Sequence, residues 1–287
     1  MYEDWFVLEF PPVQQESTLS LFSNNEYESL HTAVRTYITW CSVLTKDSHP
    51  SVPLPLRADP ERYTREMICA LRGIFMKRNH GKKTDFPMLH KTSLDVDICT
   101  KRQAQEIQAI LRGITSLTMN CSEKHRNFVQ NVSLQFLLNS SDLLLSGQTN
   151  MVNNYGLNSV VQTVFDEFLR SSLLEQIPSP SYWKTLSVLC RRWRHQVPLV
   201  ENWARKVLSL SVLIVQELFG PDYLDIPSID ISNDNQQSSL HLCWFQMLHL
   251  LGNPANIIDF DPCKDGAISH NFVEAFFYIN ISLCLAS

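Results

Sequence analysis

Glycine is scarce in this chain, with 8 residues among 287. Nucleotide-binding α/β folds, which rely on glycine-rich loops, and β-sandwiches with many glycine turns are disfavoured by that shortage. The sequence also contains no G-x-x-x-x-G-K-S/T, G-x-S-x-G or H-E-x-x-H pattern, so the P-loop, serine-hydrolase and zinc-protease motifs are missing. We therefore expect no cofactor, no metal site and no catalytic residue.

Excess positive charge and long apolar runs are lacking as well. The net charge is -5 and the pI is about 6.0, which gives no overall attraction to nucleic acid or anionic lipid. The most apolar stretches, 207–219 and 272–286, are shorter than the roughly 20 residues of a membrane span or carry polar residues. The acidic, aromatic opening Met1–Trp5 does not resemble a secretory or mitochondrial leader. We expect a cytoplasmic protein.

The eight cysteines never form a C-x-x-C pair and are spread along the chain. Either a disulfide framework or buried free thiols would fit, and the apolar helical positions favour thiols. A zinc site at His241, Cys243 and His249 is the one metal hypothesis that the spacing suggests. Because Cys243 points about 200° around a helix from His241, we interpret these residues as structural.

Apolar residues recur at helical spacing through most of the chain. Asp59 and Pro60 predict an N-cap followed by a first-turn proline, and Gly220 with Pro221, like the segment 252–254, predicts a helix end. We expect loops at 47–57, 77–88 and 224–239. The helical stretches predicted by the apolar spacing are 27–44, 59–74, 107–117, 128–144, 157–169, 182–193, 200–218 and 240–251.

Eight or nine such helices define an all-α protein, because no stretch alternates with the period of a strand. Two arrangements fit: an irregular globular helical array, or a HEAT/armadillo-like solenoid with diverged repeats of ~40–47 residues. The even spread of helices favours the solenoid.

Three of the six tryptophans lie at ten-residue intervals, Trp183, Trp193 and Trp203. Pro178 and Pro180 precede the first and Pro198 separates the last two, so the block predicts two consecutive helices hinged at Pro198. Tryptophan is large and rare, and three together indicate a packed junction. We interpret them as structural anchors in preference to exposed partner contacts.

Two basic clusters, 77–83 and 191–195, could bind an acidic partner or a phosphate. A solvated loop accounts for the first cluster. The second ends a helix, where cations interact favourably with the macrodipole. Arg194 and His195 in this cluster are, with the three tryptophans, the candidate structural or partner-contact residues.

The sequence around Trp183, Trp193 and Trp203, together with other segments of the chain, resembles the N-terminal region of the Ral GTPase-activating protein beta subunit. Order and approximate spacing agree from residue 1 to about 254, whereas residues 14–25, 80–100 and those after Pro254 differ. The matching segments are Met1–Tyr2, Asp4–Trp5, Pro53–Pro55 with Pro60 and Tyr63, Tyr182–Thr185, Trp193–His195, Val200–Trp203, Phe219–Pro221, Trp244–His249 and Asn253–Pro254.

This resemblance implies a helical N-terminal domain at 1–254 and a divergent, truncated tail at 255–287, as in a fragment of a larger subunit. It also implies pairing with a catalytic alpha subunit that stimulates GTP hydrolysis by Ral-type small GTPases. The family's catalytic segment lies elsewhere, so no catalytic residue carries over. Our hypothesis is a non-catalytic scaffold segment of that complex; the alternative is a free-standing helical-repeat adaptor for other proteins.

Overall fold

The computed structural model describes residues 20–76, 93–146, 154–174, 177, 179–220 and 237–251. Over these residues the secondary structure is helical and contains no strand, which confirms the all-α prediction. None of the described helices is long and apolar enough to cross a bilayer. The α-helices are α1 Ser20–Trp40, α2 Leu54–Ala58, α3 Pro60–Leu71, α4 Ser93–Asn120, α5 Arg126–Leu145, α6 Asn154–Leu173, α7 Ser181–Arg192, α8 Val197–Phe219 and α9 Gln237–His249.

Two of the predicted helix boundaries are confirmed by their local geometry. Asp59 precedes α3, and its carboxylate accepts a hydrogen bond from the Arg62 backbone N–H at 3.4 Å, which satisfies one of the N–H groups that a helix start leaves without a partner. Gly220 follows α8 with a φ of 101°. Only glycine adopts that conformation without strain, so the helix ends there.

Two predicted loops are wrong in part. The segment 47–57 contains the start of α2, because Pro55 lies in the first helical turn, where its missing N–H costs no hydrogen bond. The segment 224–239 ends earlier than expected, since α9 begins at Gln237. The loop at 77–88, Pro178, the helix end at 252–254 and the tail 255–287 lie outside the described residues.

The chain divides between Thr163 and Val164 into two compact units. In the first, α1, α3, α4 and α5 bury an apolar core that includes Val34, Ile74, Phe75, Ile110 and Leu145. Phe75 meets Phe136 edge to face at 5.5 Å. Gly113 lets α4 approach α1, because a Cβ atom at that position would lie 2.7 Å from Ile38 Cγ2.

Backbone hydrogen bonds also join the ends of two helices in the first unit. Thr45 and Cys121 form an isolated antiparallel bridge, and the Ser122 N–H donates to the Leu44 carbonyl at 2.9 Å. These bonds pair backbone groups just beyond the ends of the first and fourth helices, which would otherwise need water.

The second unit contains α7, α8 and α9 together with the last part of α6. Its core includes Phe165, Phe168, Leu186, Leu210 and Met247, all of which are fully or almost fully buried. Within this unit, α8 packs most extensively against α9. The solenoid arrangement of the helices and the domain boundary at 254 remain predictions.

Candidate functional site

The tryptophan block forms the turn between α7 and α8, as predicted. Trp183 lies on α7, Trp193 is the residue that caps its C-terminus, and Trp203 lies on α8. Between the helices, the Gln196 N–H donates to the Trp193 carbonyl at 2.8 Å. Gln196 is extended and Pro198 falls in the first turn of α8, where a fixed φ and a missing N–H favour helix initiation. The turn between the two consecutive helices therefore occupies 193–196, and Pro198 lies just inside α8.

All three indole rings are buried, with exposed fractions of 9%, 1% and 4% in chain order. The Trp183 ring packs edge to face on Phe168, with the ring centroids 5.6 Å apart. The Trp203 Nε1 donates to the Met247 carbonyl at 2.7 Å, which joins α8 to α9. An indole N–H that is buried needs such an acceptor. These rings are therefore held inside the protein.

Arg194 and His195, the other two predicted site residues, are exposed in the turn. The His195 Nδ1 lies 3.2 Å from the Arg192 carbonyl and its Nε2 lies 2.9 Å from the Gln196 Nε2. Arg191 and Arg192 occupy the last turn of α7, as the macrodipole argument expects. The structure thus separates the five candidates into three buried rings and two surface side chains, and their role in partner binding remains a prediction.

Most of the described thiols are buried and free, as the sequence predicts. Burial raises the pKa of Cys41 to about 12 and that of Cys190 still further. The pKa of Cys243 rises to about 11 through burial, opposed by a hydrogen bond from Ser172. A thiol with such a pKa stays protonated at neutral pH and is a poor nucleophile. Cys69 departs from the prediction, because it is exposed on α3.

The residues of the zinc hypothesis point in different directions. Cys243 is fully buried, whereas His241 and His249 are exposed. His249 stacks edge to face on Phe245 with centroids 4.4 Å apart. Across the described ranges, no three His, Cys, Asp or Glu side chains approach closely enough to hold a metal ion.

A buried carboxylate in the first unit was missed by the sequence reasoning. Glu106 on α4 is 1% exposed, and its Oε1 accepts from the Tyr27 hydroxyl at 2.8 Å and lies 2.8 Å from the His31 Nδ1 on α1. The Arg102 guanidinium covers the Tyr27 ring at 4.5 Å. Burial, then the bond to Glu106, raises the pKa of Tyr27 to about 12. Its only sequence signal is a glutamate on the apolar face of a helix, beside Ile107 and Ile110.

Comparison with known proteins supports the resemblance predicted above. The family model described as the RALGAPB N-terminal domain matches residues 99–221. The chain is 26% identical over 240 residues to the Ral GTPase-activating protein subunit beta of mouse, covering 80% of this chain and 15% of that subunit. The human subunit matches with the same identity and length, over 14% of its own sequence.

A Rap-GAP domain-containing protein of Dictyostelium discoideum is 26% identical over 125 residues, which cover 42% of this chain and 7% of that protein. No solved structure matches. The chain spans about 15% of the length of the curated subunits that it matches. Residues 99–221 hold most of α4, all of α5 to α8 and the entire tryptophan block, so the similarity to the N-terminal region of the Ral GTPase-activating protein beta subunit is confirmed.

Proposed function

We propose that this chain is a non-catalytic regulatory or scaffold segment of a heteromeric complex that activates GTP hydrolysis by Ral-type small GTPases. The observation that carries the proposal is the match of residues 99–221 to the beta-subunit N-terminal domain. The catalytic alpha subunit is the proposed direct partner, and the GTPase is contacted through it. The proposal includes no cofactor and no nucleic acid.

The structure of the matched region supports a structural role. Two buried polar side chains of the tryptophan block bond to backbone carbonyls: the Trp203 indole donates to Met247 on α9, and Asn202 Nδ2 donates to Pro198 within α8 at 2.7 Å. The Cys190 thiol on α7 is buried and protonated at neutral pH. Rigid helices with internally bonded polar groups suit a scaffold that presents its outer faces to partners.

Co-purification tests the partner. We expect the tagged chain, co-expressed with a full-length Ral GTPase-activating protein alpha subunit, to retain that subunit through affinity and size-exclusion steps. An unrelated helical-repeat protein with the same tag serves as the control. Failure of capture by a chain whose circular dichroism shows a folded helical protein would instead favour the free-standing adaptor.

Single-turnover hydrolysis tests the non-catalytic part. Purified chain added to GTP-loaded Ral should leave phosphate release at the intrinsic rate, because the proposal assigns the chemistry to the alpha subunit. The alpha subunit with its complete beta partner is the positive control. Acceleration of phosphate release by the chain alone, at a level that scales with its concentration, would contradict this part of the proposal.

The cytoplasmic location belongs to the same proposal. A fluorescent fusion of the chain should distribute through the cytoplasm and stay out of the secretory pathway. Accumulation in the endoplasmic reticulum or in the medium would overturn it.

A further inference from the structure

One long stretch of this acidic chain carries positive charge and no negative charge. Residues 176–200 contain Lys184, Arg191, Arg192 and Arg194 and no aspartate or glutamate. The rest of the chain has 20 basic residues against 29 acidic ones. This segregation makes α7 and the turn after it a basic region of a protein with a net negative charge, which is a condition for local attraction of an anionic partner.

The helix geometry gathers these cations on one exposed surface. Val188 lies four residues after Lys184, and Arg191 and Arg192 lie three and four residues after Val188, so these residues share one side of α7. All four are exposed, and Val188 exposes 53% of its surface. Arg194 extends the surface into the turn. We call these five residues the basic face.

Several cations outside the basic face pair with carboxylates, whereas three cations of the basic face form no such pair within the described residues. Arg62 pairs with Glu66, Arg205 with Glu201 and Lys206 with Asp166. By contrast, Lys184, Arg191 and Arg194 form no ion pair with another described residue. The nearest carboxylates along the sequence are Glu175 and Glu201, and the second already holds Arg205.

Helix stability accounts for only part of this surface. Arg191 and Arg192 stand in the last turn of α7, where a cation is favoured by the macrodipole. Lys184 is the fourth residue of the same helix, near the positive end, where the dipole opposes a cation. Arg194 lies beyond the helix. A function in recognition explains all of these positions together.

We propose that the basic face binds a short acidic segment of a partner protein, with an apolar side chain of that segment resting on Val188. Guanidinium groups hold carboxylates through paired hydrogen bonds, and an apolar contact at the centre of a charged rim is the usual arrangement of a protein interface. A peptide supplies both carboxylates and an aliphatic side chain for Val188, whereas a nucleic acid supplies only phosphates and bases. This inference does not depend on which complex the chain joins.

Fluorescence anisotropy of the full chain tests the proposal. The probe is a fluorescein-labelled peptide of glutamates with two leucines, and its counterpart has glutamine for glutamate. We expect binding of the acidic peptide that weakens with added salt, and no saturable binding of the glutamine peptide. Equal binding of both peptides, no binding of either, or tighter binding of a phosphatidylserine vesicle or an oligonucleotide would overturn the proposal.

Two charge reversals separate recognition from helix stability. Lys184→Glu places an acid where the macrodipole favours it, and Arg191→Glu places one where the dipole opposes it, so the melting temperature should hold or rise in the first variant and fall in the second. Binding should weaken in both, by about fivefold each. Lys124→Glu, on the other unit, is the matched control and should leave the affinity unchanged. Affinities that follow the melting temperatures, or a loss in the control as large as in the two variants, would sink the proposal.

Discussion

The two units of this protein connect their helices by different chemistry. In the unit that ends at Thr163, charged and polar side chains reach between helices: Glu106 binds Tyr27 and His31, and Gln103 Nε2 donates to the carbonyls of Ile74 and Met76 at 2.8 and 3.1 Å. In the unit that begins at Val164, indole donors connect the helices beside the Lys206–Asp166 ion pair. Trp203 donates to Met247, and the Trp244 Nε1 donates to the Ser211 hydroxyl at 2.9 Å.

The difference determines how each unit should fail. A buried carboxylate that loses its hydrogen-bond partners destabilises the fold, so the first unit depends on the hydrogen bonds to Glu106. A buried indole contributes mostly through its area and packing, so the second unit depends on shape. Removal of the Glu106 carboxylate and removal of an indole ring should therefore act on different units, and hydrogen exchange measured by mass spectrometry can assign each effect to its helices.

Trp193→Ala should have the largest effect. Its ring is 1% exposed, and truncation of a buried aromatic leaves a cavity that costs ~3–5 kcal/mol of unfolding free energy. Urea denaturation followed by circular dichroism measures the loss, and exchange should rise in α7 and α8. Val188→Ala on the exposed side of α7 is the control and should change stability by less than about 0.5 kcal/mol. A loss below about 1 kcal/mol for Trp193→Ala would mean that the ring is not a packing anchor.

Glu106→Ala should rank second and should act on the other unit. It removes the acceptor of Tyr27 and His31, and hydrogen bonds to a buried charged group contribute about 1.5–3 kcal/mol. The same denaturation series, with exchange read in α1 and α4, tests this. Glu28→Ala, an exposed acid on α1, controls for the loss of a carboxylate. Because Glu106 Oε2 is buried without a described partner, an increase in stability would show that desolvation outweighs the two bonds.

Local signals predicted much of this fold and little of its cross-links. The start of α3 was predictable because its signals are adjacent in the sequence: Asp59 is the N-cap and Pro60 is the first helical residue. The role of Glu106 was not predictable, since its partners lie 75 and 79 positions away. Burial of Trp203 followed from its size, but its acceptor is a backbone carbonyl 44 residues along the chain. Side-chain identity predicts that a buried group needs a partner, whereas only the packing of the helices determines which one.

Trp203→Phe should have a moderate effect, because it preserves most of the ring and removes the indole donor. The Met247 carbonyl then loses a buried bond, at a cost of about 1–2 kcal/mol. Trp244→Phe is the matched comparison: its indole is half-buried and bonds a hydroxyl, so we expect a smaller loss in the same denaturation series. If the two substitutions cost the same, the carbonyl bond would not be what distinguishes Trp203.

Tyr27→Phe should have the smallest effect, the loss of one part-buried hydrogen bond at neutral pH, and its effect on the pH dependence should appear only in alkaline solution. Burial and the bond to Glu106 raise the pKa of Tyr27 from 10.0 to about 12, so the folded state holds the phenolic proton more tightly than the unfolded state. Its contribution to stability is complete below pH 10 and is lost as the pH rises through 12. The ring is half-buried, so solvent screening keeps the change small. Denaturation at several pH values should show that the free energy of unfolding declines less steeply with pH for Tyr27→Phe than for the unchanged chain. Tyr63→Phe is the control. Equal slopes for the unchanged chain and Tyr27→Phe would contradict a tightly held proton at the contact between α1 and α4.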